Sequence, residues 1–269
     1  MKRSICLGIL AIPLSLSLNS CYKNPVTGRS SVNIVDEGTL SSLSNQEYSS
    51  FLSQNKAITG TAEAKMVKDV GDKLAAAINQ YFTSKGQADM LKGYKWEFNL
   101  VNNKEVNAWC MPGGKVVVYS GILPVTKSEA GLAVVMGHEI AHAIARHGNE
   151  RMSQGLLQQA GGAVLSVALA NKPAQTRALY QTAYGVGTNV AGILPFSRKH
   201  ETEADDMGLI FMAMAGYDPN EAVAFWQRMG AIGGNKPPEL LSTHPSDASR
   251  VANLRKQVTK AMQYYKPRK

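Results

Sequence analysis

The chain predicts an α+β fold, mainly α, and three observations carry that prediction. Apolar residues recur at helical spacing along most of its 269 residues, most clearly at Val67, Val70, Leu74, Ile78 and Tyr81. Two short runs, Trp96–Val101 and Lys115–Tyr119, read instead as strands, with Pro112-Gly113-Gly114 turning the chain between them. A third helical pattern contains Gly137-His138-Glu139-Ile140-Ala141-His142. No internal repeat and no second domain is visible, so residues 37–269 are expected to form one unit, long enough to bury a substantial core.

The N-terminus reads as an address. Lys2-Arg3 precedes an apolar stretch from Ile5 to Leu18, too short for a comfortable membrane span, so residues 1–20 are expected to be an export signal. It ends in Leu18-Asn19-Ser20-Cys21, which resembles the lipobox of bacterial lipoproteins and implies cleavage before Cys21 and lipidation of its thiol. Cys6 leaves with the signal, Cys110 stays as the free thiol, and no intramolecular disulfide is available to the mature chain. Residues 21–36 are polar and read as a lipidated tether or an arm laid on the surface. The formal charge is +9, yet no Lys/Arg run is interleaved with aromatics, which argues against nucleic acid as a partner.

The elements follow in order. Leu40, Leu43, Tyr48, Phe51 and Leu52 mark a first helix and residues 67–81 a second, with a loop at Lys85–Gly93. Thr126 with Glu129 forms a capping box that opens a helix expected to run to about His147. Residues 152–196, rich in Ala, Gly, Val, Leu and Gln, suit a helical hairpin or a mobile lid. Ser197 is placed to cap the next helix, which Gly216 stops. Asp218-Pro219-Asn220-Glu221 opens another with proline at its first position, and Val251, Leu254, Val258 and Met262 mark the last.

On the third helix the motif becomes chemistry. His138 and His142, four residues apart, leave one face and can share one zinc ion, while Glu139 can reach a water as general base. Zinc needs a further protein ligand. His147 is rejected: five residues past His142 it points about 140° away on a continuous helix. It is expected to be a structural residue near the helix end, with Arg146. The other source is Glu201-Thr202-Glu203-Ala204-Asp205, where Glu201 and Asp205 share a face, so one can ligate while the other holds a ligand histidine's second N–H. Glu203 points roughly 200° from Glu201 and is expected to serve neither role.

His138-Glu139-x-x-His142 followed by Glu201-x-x-x-Asp205 resembles metallopeptidase family forty-eight, the family of the HtpX, CAAX prenyl protease and BepA-like zinc peptidases. Asn107-Ala108 with Pro112-Gly113-Gly114, Arg198, Thr243-His244-Pro245 and Arg250 extend the likeness, and Asn24-Pro25-Val26-Thr27-Gly28-Arg29 looks like the start of its small bacterial lipoprotein members. Trp109-Cys110 departs from the family's small or aliphatic residues. The resemblance implies a gluzincin-type domain with a small β-sheet above the zinc helix and one Zn2+ per chain. It makes Glu201 the third ligand, Asp205 the residue behind a ligand, and Glu139 the base. His244 is expected either to donate to the oxyanion or to fill the open position on zinc and keep the enzyme latent, gating the site with residues 152–196. The strand Lys115, Val116, Val117, Val118, Tyr119 is expected to pair with an extended substrate above the zinc helix.

The function expected from this set is a zinc endopeptidase of the bacterial cell envelope. It would be an outer-membrane lipoprotein on the periplasmic face, acting on misfolded envelope polypeptides, with outer-membrane assembly machinery as partner. The competing reading, a chaperone-like binding lipoprotein with structural zinc, leaves Glu139 without a reason to sit between two ligands.

Overall fold

The computed structural model describes residues 21–160, 173–184, 197–232, 238–244 and 248–267. The expected signal at 1–20 lies outside them. Two strands, β1 (Cys21–Lys23) and β2 (Ser30–Val32), form an antiparallel hairpin. Helices α1 (Glu37–Gln54) and α2 (Ala62–Ser84) follow, with Asp36 and Thr61 accepting the free N–H groups at their starts. The expected loop at 85–93 contains a short 3-10 turn, Ala88–Leu91.

A three-stranded sheet comes next: β3 (Glu97–Val101), β4 (Ala108–Met111) and β5 (Lys115–Tyr119). Its order is β3-β5-β4, with β3 parallel and β4 antiparallel to β5. The expected turn at Pro112-Gly113-Gly114 therefore joins β4 to β5, with both glycines at positive φ. Alternation along β5 explains why it is buried on both faces. Val116 and Val118 enter the main core, whereas Val117 and Tyr119 join a second cluster with Phe51, Trp109 and Met111.

This order corrects one expectation. Lys115–Tyr119 is the central strand, its backbone already bonded by β3 on one side and β4 on the other. A substrate cannot pair with it; among the described residues β4 is the edge nearest the motif helix.

The helices begin again with α3 (Leu123–Thr126) and the central α4 (Glu129–Ile144). Thr126 does not cap α4. It closes α3, Lys127 turns left-handed at φ 62°, and Ser128 accepts the N–H of Gly131 instead. Arg146 is likewise left-handed, at φ 59°, and breaks the helix expected to continue to His147, so α5 (His147–Ala160) starts in a new direction. Helix α6 (Pro173–Tyr184) packs on α5 through Met152, Leu156, Tyr180 and Ala183. The rest of the expected hairpin or lid, 161–172 and 185–196, lies outside the described residues.

Helix α7 (Arg198–Met214) is capped by Ser197, and Gly216 follows it at φ 83°. Helix α8 (Glu221–Gly230) starts two residues after Pro219, which lies in the preceding turn rather than at the first helical position. A short α9 (Glu239–Thr243) leads to His244, and α10 (Ala248–Ala261) buries Leu254 and Val258 while Met262 stays exposed.

Residues 21–36 are no free tether. Tyr22 Oη donates to the Ile144 carbonyl at the end of α4 (2.9 Å), and Arg29 pairs with Glu150 (2.8 Å). No helix among the described residues is long and apolar enough to cross a membrane.

A close helix crossing sets the site. Helices α4 and α7 cross where Gly137 faces Gly208, and a Cβ on Gly208 would lie 2.9 Å from the His138 backbone nitrogen. Only a residue without a side chain lets two helix backbones meet so closely. Gly208→Ala is expected to cost ~1–3 kcal/mol by forcing the helices apart. Denaturant unfolding measures the loss, and an unchanged midpoint would show that the crossing is not tight.

Candidate active site

All five histidines of the chain gather around the α4–α7 crossing, and each is buried. His138 and His142 project from one face of α4, as their spacing predicts. Glu201, two turns ahead of Gly208 on α7, reaches them from the second helix. His244 arrives from the end of α9. One ligand atom from each of His138, His142, Glu201 and His244 lies within 4.8 Å of the others.

The hydrogen-bond pattern decides which ring atoms face inward. His138 Nδ1 lies 2.9 Å from Asp205 Oδ1, so it donates there and turns Nε2 inward. His147 Nε2 lies 2.9 Å from Glu203 Oε2 and donates to it, which makes His147 Nδ1 an acceptor. His142 Nδ1, 2.9 Å away, must then donate to His147, and its Nε2 carries a lone pair. The two Nε2 atoms face each other at 3.1 Å, with Glu201 oxygens 3.3 and 3.4 Å away. Two imidazole nitrogens and a carboxylate gathered this closely form a donor set that a cation would satisfy. The spacing also fits, because tetrahedral bonds of roughly 2.0–2.1 Å set ligand atoms about 3.3–3.4 Å apart.

The surroundings work to the same end. Burial holds the His142 imidazole well below its usual range, hence neutral and able to ligate. Burial also acts against Glu201 as an anion, but His244, His138 and His142 outweigh it and keep the carboxyl well below its ordinary value. At His138 burial is overcome by Asp205 and Glu201, which lift the imidazole to about 9, so without a metal its inward Nε2 holds a proton at neutral pH, and a metal ion would take that proton's place. Asp205 is held by Arg250, whose Nε and Nη2 each donate at 2.9 Å, while Nη1 pairs with Glu201 at 2.8 Å. Arg250 is itself fixed flat on Trp226, 3.5 Å from the ring centre.

Glu139 faces the same space. Burial pushes its carboxyl up from the ordinary range, and Oε1 makes no hydrogen bond, with His244 Nε2 3.5 Å away. A cleft opens here, lined by Ala108 and Trp109 of β4 together with Glu139, His142, Arg151 and Tyr184. Trp109-Cys110 thus contributes to the cleft wall. Cys21, by contrast, is exposed at the start of the arm and takes no part in the site.

The structure brings together every predicted site residue on α4 and α7 and adds His244. It gives His147 a different place from the one expected. On a continuous helix His147 would point away, but the left-handed turn at Arg146 swings its ring back behind His142. Glu203, on the far side of α7 from Glu201, faces His147 for the same reason. His147, Glu203 and Trp226 were missed, and the one signal for them was the crowding of three histidines within ten residues, 138–147.

A helix-borne His-Glu-x-x-His whose further donor is a carboxylate on a second helix is a gluzincin-type metal centre. The model of Peptidase family M48 matches residues 62–258, and the chain belongs to that family. Mitochondrial metalloendopeptidase OMA1 of Arabidopsis thaliana is 40% identical over 164 residues, covering 60% of this chain and 31% of that protein. Human metalloendopeptidase OMA1 is 30% identical over 245 residues, 89% of this chain and 46% of the relative. The beta-barrel assembly-enhancing protease of Escherichia coli K12 is 34% identical over 168 residues, 60% of this chain and 34% of the relative. The chain spans between about a third and about half the length of these and similar relatives.

Acid should weaken the fold on the His147 side in two stages. Burial lowers His147 to about 4, so between pH 6.5 and 4 the unfolded chain takes up a proton that the folded chain refuses, and stability falls as pH falls. Burial opposes the Glu203 anion, but His147, Thr27 and Arg29 hold it at about 2, so its contribution is lost between pH 4.5 and 2. Melting temperatures from pH 7 to 3 should decline through both windows; a flat profile down to pH 4 would contradict the first.

Proposed function

We propose that the chain is a zinc-dependent endopeptidase of a bacterial cell envelope, anchored by lipid at Cys21. The observation that carries this reading is the pair of inward Nε2 atoms of His138 and His142 opposite the Glu201 carboxylate, with Glu139 beside them.

His138, His142 and Glu201 would hold the ion, and Asp205 and His147 fix the ligand rings. When bound, zinc supplies Lewis acidity toward a water and a scissile carbonyl. Glu139 takes the water proton on Oε1 and passes it to the leaving amine, and burial, which raises its carboxyl, favours its taking up that proton. His244, its Nδ1 2.9 Å from Glu201 and 3.2 Å from His138 Nε2, would offer the ion a fourth donor atom and so restrain the site. In the same orientation its Nε2 lies 3.5 Å from Glu139, on the side where the developing oxyanion would need a donor. The gate is then His244 itself.

An extended polypeptide would pair with the outer edge of β4, taking the role expected of Lys115–Tyr119, so that backbone bonds give affinity with little demand on sequence. Misfolded envelope proteins meet that requirement. The relative named for enhancing β-barrel assembly supports the outer-membrane assembly machinery as partner, and the periplasmic face of that membrane follows from the same reading. The lipobox-like Leu18-Asn19-Ser20-Cys21 supports the anchor, and Cys21 is exposed where an acyl chain can leave the fold.

Two results are expected. Glu139→Gln should lower cleavage of an unfolded protein by roughly 10²–10⁴-fold while zinc remains bound at one ion per chain. Equal inertness of wild type and variant, both zinc-loaded, would favour the binding-lipoprotein reading. Cells fed a radiolabelled fatty acid should label the wild-type chain and not Cys21→Ala; equal labelling would remove the anchor.

A further inference from the structure

The arm of residues 24–29 ends on a carboxylate that has no part in the ligand set. Glu203 is buried, and four donors converge on it. His147 Nε2 donates to Oε2 at 2.9 Å from one side. The other three come from the arm: Asn24 Nδ2 at 2.8 Å, the Thr27 hydroxyl, and Arg29 Nε. The arm is built for this contact. Asn24 Oδ1 accepts the Val26 N–H at 2.9 Å, Asn24 N–H donates to the Arg29 carbonyl at 2.8 Å, and Gly28 turns the chain at φ 76°. Arg29 then bridges Glu203 to Glu150, which pairs with His200, and the His200 ring stacks on His147.

The chain of contacts runs on from Glu203 through His147 to His142 Nδ1. A carboxylate that accepts from His147 fixes its tautomer, and that tautomer obliges His142 to present a lone pair on Nε2. Without the arm, Glu203 would keep one of its four donors in a buried site and lose its reason to remain charged and in place.

We propose that Glu203 and the arm residues Arg29 and Thr27 are positioning residues for the metal centre: seated, the arm fixes His142 through Glu203 and His147, and so sets metal affinity. The residue adjoining the anchoring cysteine is docked as well, through Tyr22 and the end of α4, so the arm links the start of the mature chain to one ligand of the ion. The inference rests on the metal-site reading above.

The test uses the full chain, loaded with Co2+ as a spectroscopic stand-in and with Zn2+ in competition against a chromophoric chelator. Glu203→Gln and Arg29→Ala should each weaken metal binding by roughly 10–100-fold and alter the visible Co2+ bands. Thr27→Val, an exposed position that leaves folding intact, should weaken it by a smaller factor, and Arg29→Lys should recover part of the loss. Lys260→Ala, which removes an ion pair from α10 to Asp206 on the helix that carries Glu203, should leave affinity and spectrum unchanged. Metal-free melting curves separate a loss of ligand orientation from a general loss of stability. Wild-type affinity and spectrum in Arg29→Ala and Thr27→Val, whatever the behaviour of Glu203→Gln, would overturn the proposal. Failure of the wild-type chain to bind either ion would instead overturn the metal-site reading on which it stands.

Discussion

The contact between Gly137 and Gly208 governs the molecule. Two helix backbones can share a metal only if they run close enough for short side chains from both to reach one point, and a single methyl group at Gly208 would collide with the His138 backbone. His138 follows Gly137 directly, and Glu201 and Asp205 precede Gly208 by two turns and one. The crossing therefore sets the distance at which ligands and their supporting carboxylate meet. The sheet, α2 and α8 pack around this pair, and their apolar surface supplies the burial that holds it shut.

Around that crossing the fold gathers more buried charge than stability alone would favour. Glu139, Glu201, Glu203 and Asp205 are all withdrawn from water, and each such ion costs several kcal/mol before it finds a partner. Arg250 repays part of the cost on one side, and Arg29 on the other. The two cations act on different ligands: Arg250 stands behind His138 by way of Asp205, and Arg29 behind His142 by way of Glu203 and His147. The two come from distant parts of the described chain, Arg250 from the last helix and Arg29 from the arm before α1.

Much of this was legible in the residues. Periodicity located α2, α7 and α10, and strand patterning located β5 to the residue, because buried stripes and alternating valines leave strong signals. The spacing of His138 and His142 announced the site, and the i, i+4 relation of Glu201 and Asp205 announced its other half. What stayed hidden depended on backbone turns without a compositional mark. Lys127 and Arg146 adopt left-handed conformations that long charged residues rarely show, so the start of α4 and its end were both misplaced. That second turn concealed the role of His147 and, with it, that of Glu203. The order of the sheet was hidden for another reason: sequence neighbours usually pair, yet β3 skips β4 to lie parallel beside β5.

The position of Arg250 along the chain has a consequence for timing. A polypeptide made and threaded from its N-terminus carries its two ligand histidines well before the helix that clamps Asp205 and Glu201 exists. Until that last helix docks, two acidic side chains needed at the centre have no cation to hold them in place. A chain interrupted anywhere before residue 250 thus keeps the His-Glu-x-x-His signature but lacks its clasp. The order of synthesis therefore delays completion of the site until the last helix is made.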